Sequence, residues 1–313
     1  MSLRDVLKSL QPGQAILHYN IATFEQFKAG VGAVRETGIP LIFGVSEGEE
    51  NYLGIDTVRA VISQTVASSQ ADADTGAGKE LPLFLNADHH KTVETAKDAL
   101  DHHFDAILFD GSELSVDQNI LRTKELTAYR DKQGSDAVIE GELGYLAGKS
   151  DLEAEVEVKE AYFTKPEEAE RFVRETGVEL LAVSIGNVHG IPDRIVRAGK
   201  TQAKEEIDVN RLRTICQRLE PLMKASATSN QTFLGLVLHG GSGITDEDFR
   251  GAIEAGAHIV HLNTVFRNVW KEQLQKSLRQ RTITPYKMLQ EVVQAIQERV
   301  VYYQRLFWSS SSL

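Results

Sequence analysis

The chain has 313 residues, of which 42% are hydrophobic, so it can bury a large core, while its formal charge of −11 argues against a surface for nucleic acid or anionic membrane. It has no run of about 18 apolar residues, and its start, MSLRDVLKSLQPGQ, lacks the apolar stretch of a secretory signal. The single cysteine, Cys216, excludes an internal disulfide, and we therefore expect a cytoplasmic protein without membrane or nucleic-acid partners.

Short apolar runs alternate along the chain with segments of helical periodicity. The predicted strands are residues 14–20, 40–46, 81–87, 106–111, 137–144, 180–186, 235–241 and 259–264. Their nearly continuous apolar character indicates strands that are covered on both faces. Eight strand–helix units in order predict an α/β fold, a closed (β/α)8 TIM barrel that forms a single domain over residues 1–313. A doubly wound open sheet is the alternative, and the lack of a GxGxxG motif after the first strand weakens it.

Two long connections interrupt this alternation, residues 145–165 and 190–206. In a barrel both would open onto the catalytic rim, so they are candidate lids. After the last strand, residues 282–306 are predicted to form a C-terminal helical extension, and residues 309–313 (SSSSL) a disordered tail.

Three histidines follow three separate strands, in the segments LFLNADHH, LLAVSIGNVHG and GLVLHGGSG. His89, His189 and His239 would therefore meet at the downstream rim, where barrels gather their reacting groups. Three neutral imidazoles with one open position are typical of a catalytic zinc site. Asp88 directly precedes His89, and Asp110 and Glu142 lie near the ends of two further predicted strands. The other histidines, among them His18 in the first strand and His90 at a presumed helix start, are not assigned to the site.

Five segments carry a more specific resemblance. They are DHHKTVETA, FDGSELSVDQNILRTKEL, IEGELGYLAG, TKPEEAERFVRETGVELLAVSIGNVHG and LVLHGGSGITDEDFRGAIEAGAH. Together they resemble the class II fructose-bisphosphate and tagatose-bisphosphate aldolases, in the same order, from about residue 14 to 270. The resemblance implies a zinc-dependent (β/α)8 lyase of carbohydrate metabolism, such as glycolysis, which cleaves a ketose (bis)phosphate to dihydroxyacetone phosphate and an aldehyde. It also implies one Zn²⁺ per subunit and a homo-oligomer, a dimer or tetramer, and leaves open whether a monovalent cation joins the phosphate site.

Residue by residue, the resemblance implies that His89, His189 and His239 bind zinc and that Asp88 serves the C4 hydroxyl as acid and base. Glu142 matches a carboxylate that approaches the metal, and Asp110 matches a carboxylate that lines the same end of the barrel. The substrate and phosphate positions are Ser46, Gly240, Gly241, Ser242, Asn263 and Thr264. Physical chemistry agrees with these roles, because Zn²⁺ stabilises an enediolate as a Lewis acid and a nearby carboxylate can carry the hydroxyl proton.

Three departures from the family pattern concern residues that would contact the donor, dihydroxyacetone phosphate. His261 replaces an asparagine that contacts the enediolate, and it either donates a hydrogen bond there or becomes a fourth metal ligand. Ser150 replaces the glutamate that moves the donor proton, with Asp151, Glu153 or Glu155 as substitutes. Arg194 stands near the place of a family lysine, as a phosphate contact or a surface residue. A lyase with a different or non-phosphorylated donor, and a non-catalytic sugar-phosphate-binding protein, therefore remain alternatives.

Overall fold

Eight parallel strands close into a barrel in the computed structural model, which describes residues 1–74, 80–144, 152–153, 160–188, 191–192, 207–225 and 233–308. The order around the barrel is β1, β10, β9, β7, β5, β4, β3 and β2, so the TIM-barrel prediction is confirmed and the open sheet is wrong. The barrel strands are β1 (Ile16–Asn20), β2 (Leu41–Ser46), β3 (Leu83–His90), β4 (Ala106–Phe109), β5 (Val138–Leu143), β7 (Leu180–Val183), β9 (Gly235–Leu238) and β10 (Ala257–Leu262).

The helices between the strands begin and end at residues suited to caps. Thr23, Thr92, Ser115 and Thr245 accept a backbone N–H at helix starts, and Gly38, Gly134 and Gly177 end helices in the left-handed conformation. The helices are α1 (Leu3–Ser9), α2 (Phe24–Thr37), α3 (Glu47–Leu53), α4 (Ile55–Asp74), α5 (Val93–Asp101), α6 (Val116–Gln133), α7 (Pro166–Thr176), α8 (Val209–Ala225), α9 (Asp246–Glu254), α10 (Thr264–Ser277) and α11 (Pro285–Trp308). None of them, in the part of the chain described, is long and apolar enough to span a bilayer.

Alternate residues of the strands divide into two buried clusters. Residues such as Leu17, Tyr19 and Phe43 belong to the large cluster shared with the helices. Ile16, Ile42, Phe84, Val138 and Ile259 belong to a second cluster, together with Leu3, Val6 and Leu7 of α1. Because side chains two residues apart on a strand point to the same side, this second cluster fills the upstream end of the barrel interior, and α1 closes it. Residues two and four positions further along these strands lie above that apolar floor.

The C-terminal helix α11 packs against α2 and α10 and begins three residues later than predicted, because Pro285 occupies its first turn. Near its end, the carbonyl of Phe307 accepts the N–H of Ala15 at 2.8 Å, just before β1. The Phe307 ring is fully buried against Phe249 and Tyr303. The predicted tail at 309–313 lies outside the described residues.

The two predicted lids lie largely outside the described residues as well. Their described parts include two short strands, β6 (Leu152–Glu153) and β8 (Ile191–Pro192), which pair in parallel with each other. The backbones of the connections after β5 and β7 therefore meet at the downstream end of the barrel.

Candidate metal and active site

The downstream half of the barrel interior is lined with buried polar side chains, where the upstream half is apolar. His18 and Asn20 follow Ile16 on β1, Asn86 and Asp88 follow Phe84 on β3, and Glu140 and Glu142 follow Val138 on β5. His239 follows β9, and His261 lies two residues after Ile259 on β10. Each of these side chains is less than a tenth exposed, so their charges and hydrogen bonds need partners inside the protein. The imidazole of His89, next to Asp88, is more exposed.

A backbone irregularity brings two consecutive residues of β3 to the same place. His89 has a φ of 53°, in the left-handed region, and the pairing of β3 with β4 shifts between Ala87 and His90. Asp88 and His89 would otherwise point to opposite sides of the strand. With the bulge, His89 Nε2 lies 3.9 Å from Asp88 Oδ1 and 3.2 Å from His239 Nδ1. The strained backbone is therefore tied to the construction of the site.

Carboxylates hold the far nitrogen of each of these two imidazoles. His89 Nδ1 lies 2.9 Å from Asp110 Oδ2, and His239 Nε2 lies 2.8 Å from Glu140 Oε1. A ring nitrogen that donates to a carboxylate carries the hydrogen, so the other nitrogen offers its lone pair. Burial, with help from Asp88, raises the pKa of Glu140 well above its usual range, so Glu140 is an ionised acceptor for the His239 hydrogen only when a cation is bound beside it. Burial and the neighbouring His89 lower the pKa of His239 to about 4.

The other two nitrogens, His89 Nε2 and His239 Nδ1, converge at 3.2 Å, and in the neutral forms of the rings each presents a lone pair. Two lone pairs cannot hydrogen-bond each other, but two nitrogens bound tetrahedrally to one Zn²⁺ lie about 3.4 Å apart. Glu142 offers a carboxylate oxygen to the same group, and its Oε2 is buried without a hydrogen bond among the described residues. The residues present therefore fit a divalent cation.

The third predicted ligand, His189, lies outside the described residues, as do Ser150 and Arg194. The residue before it, Val188, is buried. Its backbone lies so close to Gly240 that a β-carbon there would overlap the Val188 carbonyl. In addition, Asn187 Nδ2 donates to the carbonyl of His239 at 2.9 Å. The described chain up to Val188 thus runs directly beside His239 and Gly240.

Asp88 has one oxygen fixed and one oxygen turned to this cluster. Its Oδ2 accepts a hydrogen bond from Asn20 Nδ2 at 2.8 Å. Its Oδ1 lies 3.5 Å from His261 Nδ1 and 3.9 Å from His89 Nε2. Burial alone would raise the pKa of Asp88, but His89, His261 and His18 hold that pKa well below its ordinary value. The carboxylate is therefore ionised at neutral pH.

Three imidazoles form a stack inside the barrel. His18 and His261 lie parallel, with centroids 3.5 Å apart and planes at 3°, and His261 lies 3.9 Å from His239 at 25°. An imidazole lone pair lies in the plane of its ring, so nearly parallel rings cannot aim lone pairs at one ion between them. This geometry opposes His261 as a fourth ligand beside His239, and equally opposes a separate metal site between His18 and His261.

A glycine makes room for this stack. A β-carbon at Gly44 on β2 would lie 2.5 Å from His18 Nε2 and would overlap the ring. The ring cannot swing away, because His261 covers one of its faces and its side chain is fully buried. Burial lowers the pKa of His18 to about 4, so the imidazole is neutral.

The predicted phosphate residues meet at one corner of the rim. Gly240 is left-handed, with a φ of 64°, and residues Gly241–Gly243 form a short 3-10 turn. Ser242 Oγ accepts the N–H of Val265 at 3.3 Å, which joins this turn to the start of α10 at Thr264. Asn263 precedes α10, and its Oδ1 is buried without a hydrogen bond in the described structure. Backbone N–H groups at a turn and at a helix start are typical of anion sites. Ser46 lies elsewhere, where its hydroxyl donates to Glu49 Oε2 at 2.9 Å.

Sequence reasoning missed His18, Asn20, Glu49 and Glu140. Three of them had a signal, because His18 shares a strand face with Ile16 and Asn20, and Glu140 shares one with Glu142. The assignment of His90 to a helix start was wrong: β3 runs through His90, which is buried and holds Glu50 Oε1 at 3.0 Å. Ser46 and Glu49 form the S-x-x-E pattern of a capping box, which indicates a helix start but not a place in the site.

Comparison with known proteins gives a consistent result. Residues 1–312 match the family described as "Fructose-bisphosphate aldolase class-II". The 6-phospho-5-dehydro-2-deoxy-D-gluconate aldolase of Shouchella clausii is 30% identical over 289 residues, which are 91% of this chain and 86% of that enzyme. The fructose-bisphosphate aldolase of Treponema pallidum is 33% identical, over 58% of this chain and 53% of its own length. The crystal structure of the YdjI aldolase from Escherichia coli has a TM-score of 0.72 at 22% identity, and covers 98% of this chain and 95% of that chain.

We expect Gly44→Ala to lower the free energy of unfolding by about 1–3 kcal/mol, because the new methyl group overpacks the barrel interior against His18. Urea denaturation of the metal-free protein measures this cost. In a His18→Ala background the same substitution should cost much less, since the obstructing ring is gone. Equal costs in the two backgrounds would show that Gly44 is not fitted to His18.

We also expect zinc binding to weaken as the pH falls. Burial alone would lower the pKa of His89, but Asp88, Asp110 and Glu142 raise that pKa well above 6.5. The metal must therefore displace a proton at neutral pH, and affinity should fall by about tenfold per pH unit below that pKa. Calorimetry in two buffers of different ionisation enthalpy measures the proton released. An affinity that does not change between pH 6 and 8 would contradict the assignment of His89 as a ligand.

Proposed function

The chain belongs to the class II fructose-bisphosphate aldolase family, and from that premise we propose that it is a zinc-dependent aldehyde-lyase that cleaves and forms a ketose phosphate. We propose dihydroxyacetone phosphate as the donor product and His89, His189 and His239 as the ligands of one Zn²⁺ per subunit. We further propose that it works in the cytoplasm as a homo-oligomer.

One observation carries the proposal. The lone-pair nitrogens of His89 and His239 converge at 3.2 Å, and the free oxygen of an ionised carboxylate, Asp88 Oδ1, lies 3.9 Å from the first of them. A Lewis acid and a base side by side are what cleavage of a bond next to a hydroxyl and a carbonyl requires. Both relatives named above act, by their names, on phosphorylated substrates, which supports a phosphorylated substrate here.

When bound, zinc would stabilise the negative charge that develops on the donor oxygens during carbon–carbon cleavage. Asp88 Oδ1 takes the proton of the C4 hydroxyl as the bond to the donor breaks and returns it in the condensation direction. Asn20 holds Oδ2, so that only Oδ1 faces the reacting group. Asp110 and Glu140 hold the hydrogens of His89 and His239 on the ring nitrogens that point away from the proposed metal position.

The remaining residues bind the substrate. We propose that the turn at Gly240, Gly241 and Ser242, with Asn263 and Thr264 at the start of α10, holds the donor phosphate through N–H groups. We propose that His261 contacts the donor rather than the metal, because its ring stacks on His239 instead of pointing at the same ion. Glu142 provides a carboxylate that can approach the metal, and Ser46 a polar position beside Asp88 on the neighbouring strand.

The deciding experiment measures aldol cleavage by the purified protein before and after exhaustive chelation. We expect activity to disappear with the metal and to return with Zn²⁺ or Co²⁺. Condensation with dihydroxyacetone phosphate and with dihydroxyacetone then compares the donors, and we expect only the phosphorylated donor to react efficiently. Faster reaction of dihydroxyacetone would favour the non-phosphorylated alternative suggested by His261. Activity that survives chelation would end the zinc mechanism.

Asp88→Ala should suppress carbon–carbon cleavage by roughly 100-fold or more, because the base for the hydroxyl proton is lost. Metal content, measured by atomic absorption, should stay near one Zn²⁺ per chain, since Asp88 is not among the proposed ligands. Exchange of the donor C–H proton into deuterated water should also continue. Parallel loss of metal and cleavage would instead make Asp88 a support for the metal.

A further inference from the structure

The short helix α3, with the sequence EGEENYL, directs three glutamates toward the end of the barrel rather than to solvent. Glu47 Oε1 accepts the hydroxyl of Thr95 at 2.8 Å, on α5. Glu50 Oε1 lies 3.0 Å from the imidazole of His90, on β3. Glu49, between them, is 7% exposed and is directed to the site itself.

Both oxygens of Glu49 are fixed by hydrogen bonds. Oε2 accepts the backbone N–H and the hydroxyl of Ser46, and also Asn20 Nδ2, each at 2.9 Å. Oε1 accepts Arg267 Nη2 at 2.7 Å, from the first turns of α10. Bonds to an ionised carboxylate are strong and short. The Arg267 guanidinium also compensates the cost of burying the charge. The Glu49 carboxylate therefore has one fixed orientation.

Asn20 transmits this orientation to Asp88. An amide nitrogen carries two hydrogens in one plane, and here one donates to Glu49 Oε2 at 2.9 Å and the other to Asp88 Oδ2 at 2.8 Å. A reversed amide would place its carbonyl oxygen against two carboxylates, which is repulsive. Glu49 thus selects the amide orientation in which Asp88 Oδ2 is held and Asp88 Oδ1 is left for chemistry.

We infer that Glu49 is a positioning residue for the acid–base step of Asp88, acting through Asn20. The inference rests on the proposed function, because it assigns Glu49 to the proton transfer proposed for Asp88. Among the contacts described above, Glu49 touches no proposed metal ligand and no residue of the proposed phosphate turn, and its one contact with a proposed substrate position is with Ser46. Its loss should therefore slow carbon–carbon cleavage while sparing metal binding, and should change substrate binding only through Ser46.

Glu49→Gln tests this inference with little change in shape. The new amide group carries hydrogens that meet the donors of Asn20, Ser46 or Arg267, so the fixed orientation is lost. We expect kcat for cleavage to fall by about 10–100-fold, with KM within about threefold of the parent, as for other residues that orient a reacting group. Zinc content and the exchange of the donor C–H proton should remain at parental levels. Glu47→Gln, on the same helix but bonded to Thr95, provides the matched variant and should retain parental kcat.

A double-mutant cycle separates positioning from general destabilisation. In an Asn20→Ala background the connection to Asp88 is already broken, so Glu49→Gln should have little further effect on kcat. If Glu49→Gln lowers kcat by the same factor with and without Asn20→Ala, the two residues act independently and the inference is overturned. A fall in kcat for Glu47→Gln equal to that for Glu49→Gln would also overturn it, since the effect would then belong to the helix.

Crystal structures of the zinc-loaded parent and the Glu49→Gln variant provide a readout that does not depend on turnover. We expect the Asn20 amide or the Asp88 carboxylate to rotate in the variant. If both keep their parental positions, the inference is wrong, whatever the activity. If they rotate but the parent protein shows no aldol chemistry, the proposed function fails and the positioning role of Glu49 stands.

Discussion

Two ring nitrogens, one of His89 and one of His239, face each other across 3.2 Å inside a closed barrel, and the rest of the site depends on that contact. Asp110 and Glu140 enforce it by holding the opposite nitrogens of His89 and His239. Without a cation, a proton can bridge the two nitrogens, and although burial alone would lower the pKa of His89, Asp88, Asp110 and Glu142 raise it well above its ordinary value. The same carboxylates that attract the proton would attract a metal, so the site is built to exchange one positive charge for another.

The barrel makes this concentration of charge possible by separating two layers within a single interior. Side chains near the start of the strands, such as Ile16 and Val138, form an apolar floor that α1 closes. Side chains two and four residues later are polar and lie under the downstream rim. Because side chains alternate along each of the eight strands, the apolar residues that stabilise the barrel lie at one end of its interior, and the polar residues of the site lie at the other.

The regular alternation of side chains along the strands determines which features of the fold and the site could be predicted from the sequence. The alternation of apolar runs and amphipathic helices predicted the barrel, and the positions of His89 and His239 after their strands predicted which side chains converge. The left-handed backbone at His89 was not predictable, because a bulge depends on neighbouring strands and leaves no local pattern. The role of His18 was missed because its partner on the adjacent strand, His261, is far away in the sequence, and their stacking exists only when β1 pairs with β10. Glu49 was missed for the same reason, since Asn20 and Arg267, which connect it to the site, lie far from it in the sequence.

The fit between Gly44 and His18 has a consequence for how such an interior can change over generations. A side chain at position 44 would overlap the His18 imidazole, so histidine at position 18 fits beside a glycine. Starting from a bulkier residue at position 44, a change of position 18 to histidine alone would meet this overlap, whereas a change of position 44 to glycine first would avoid it.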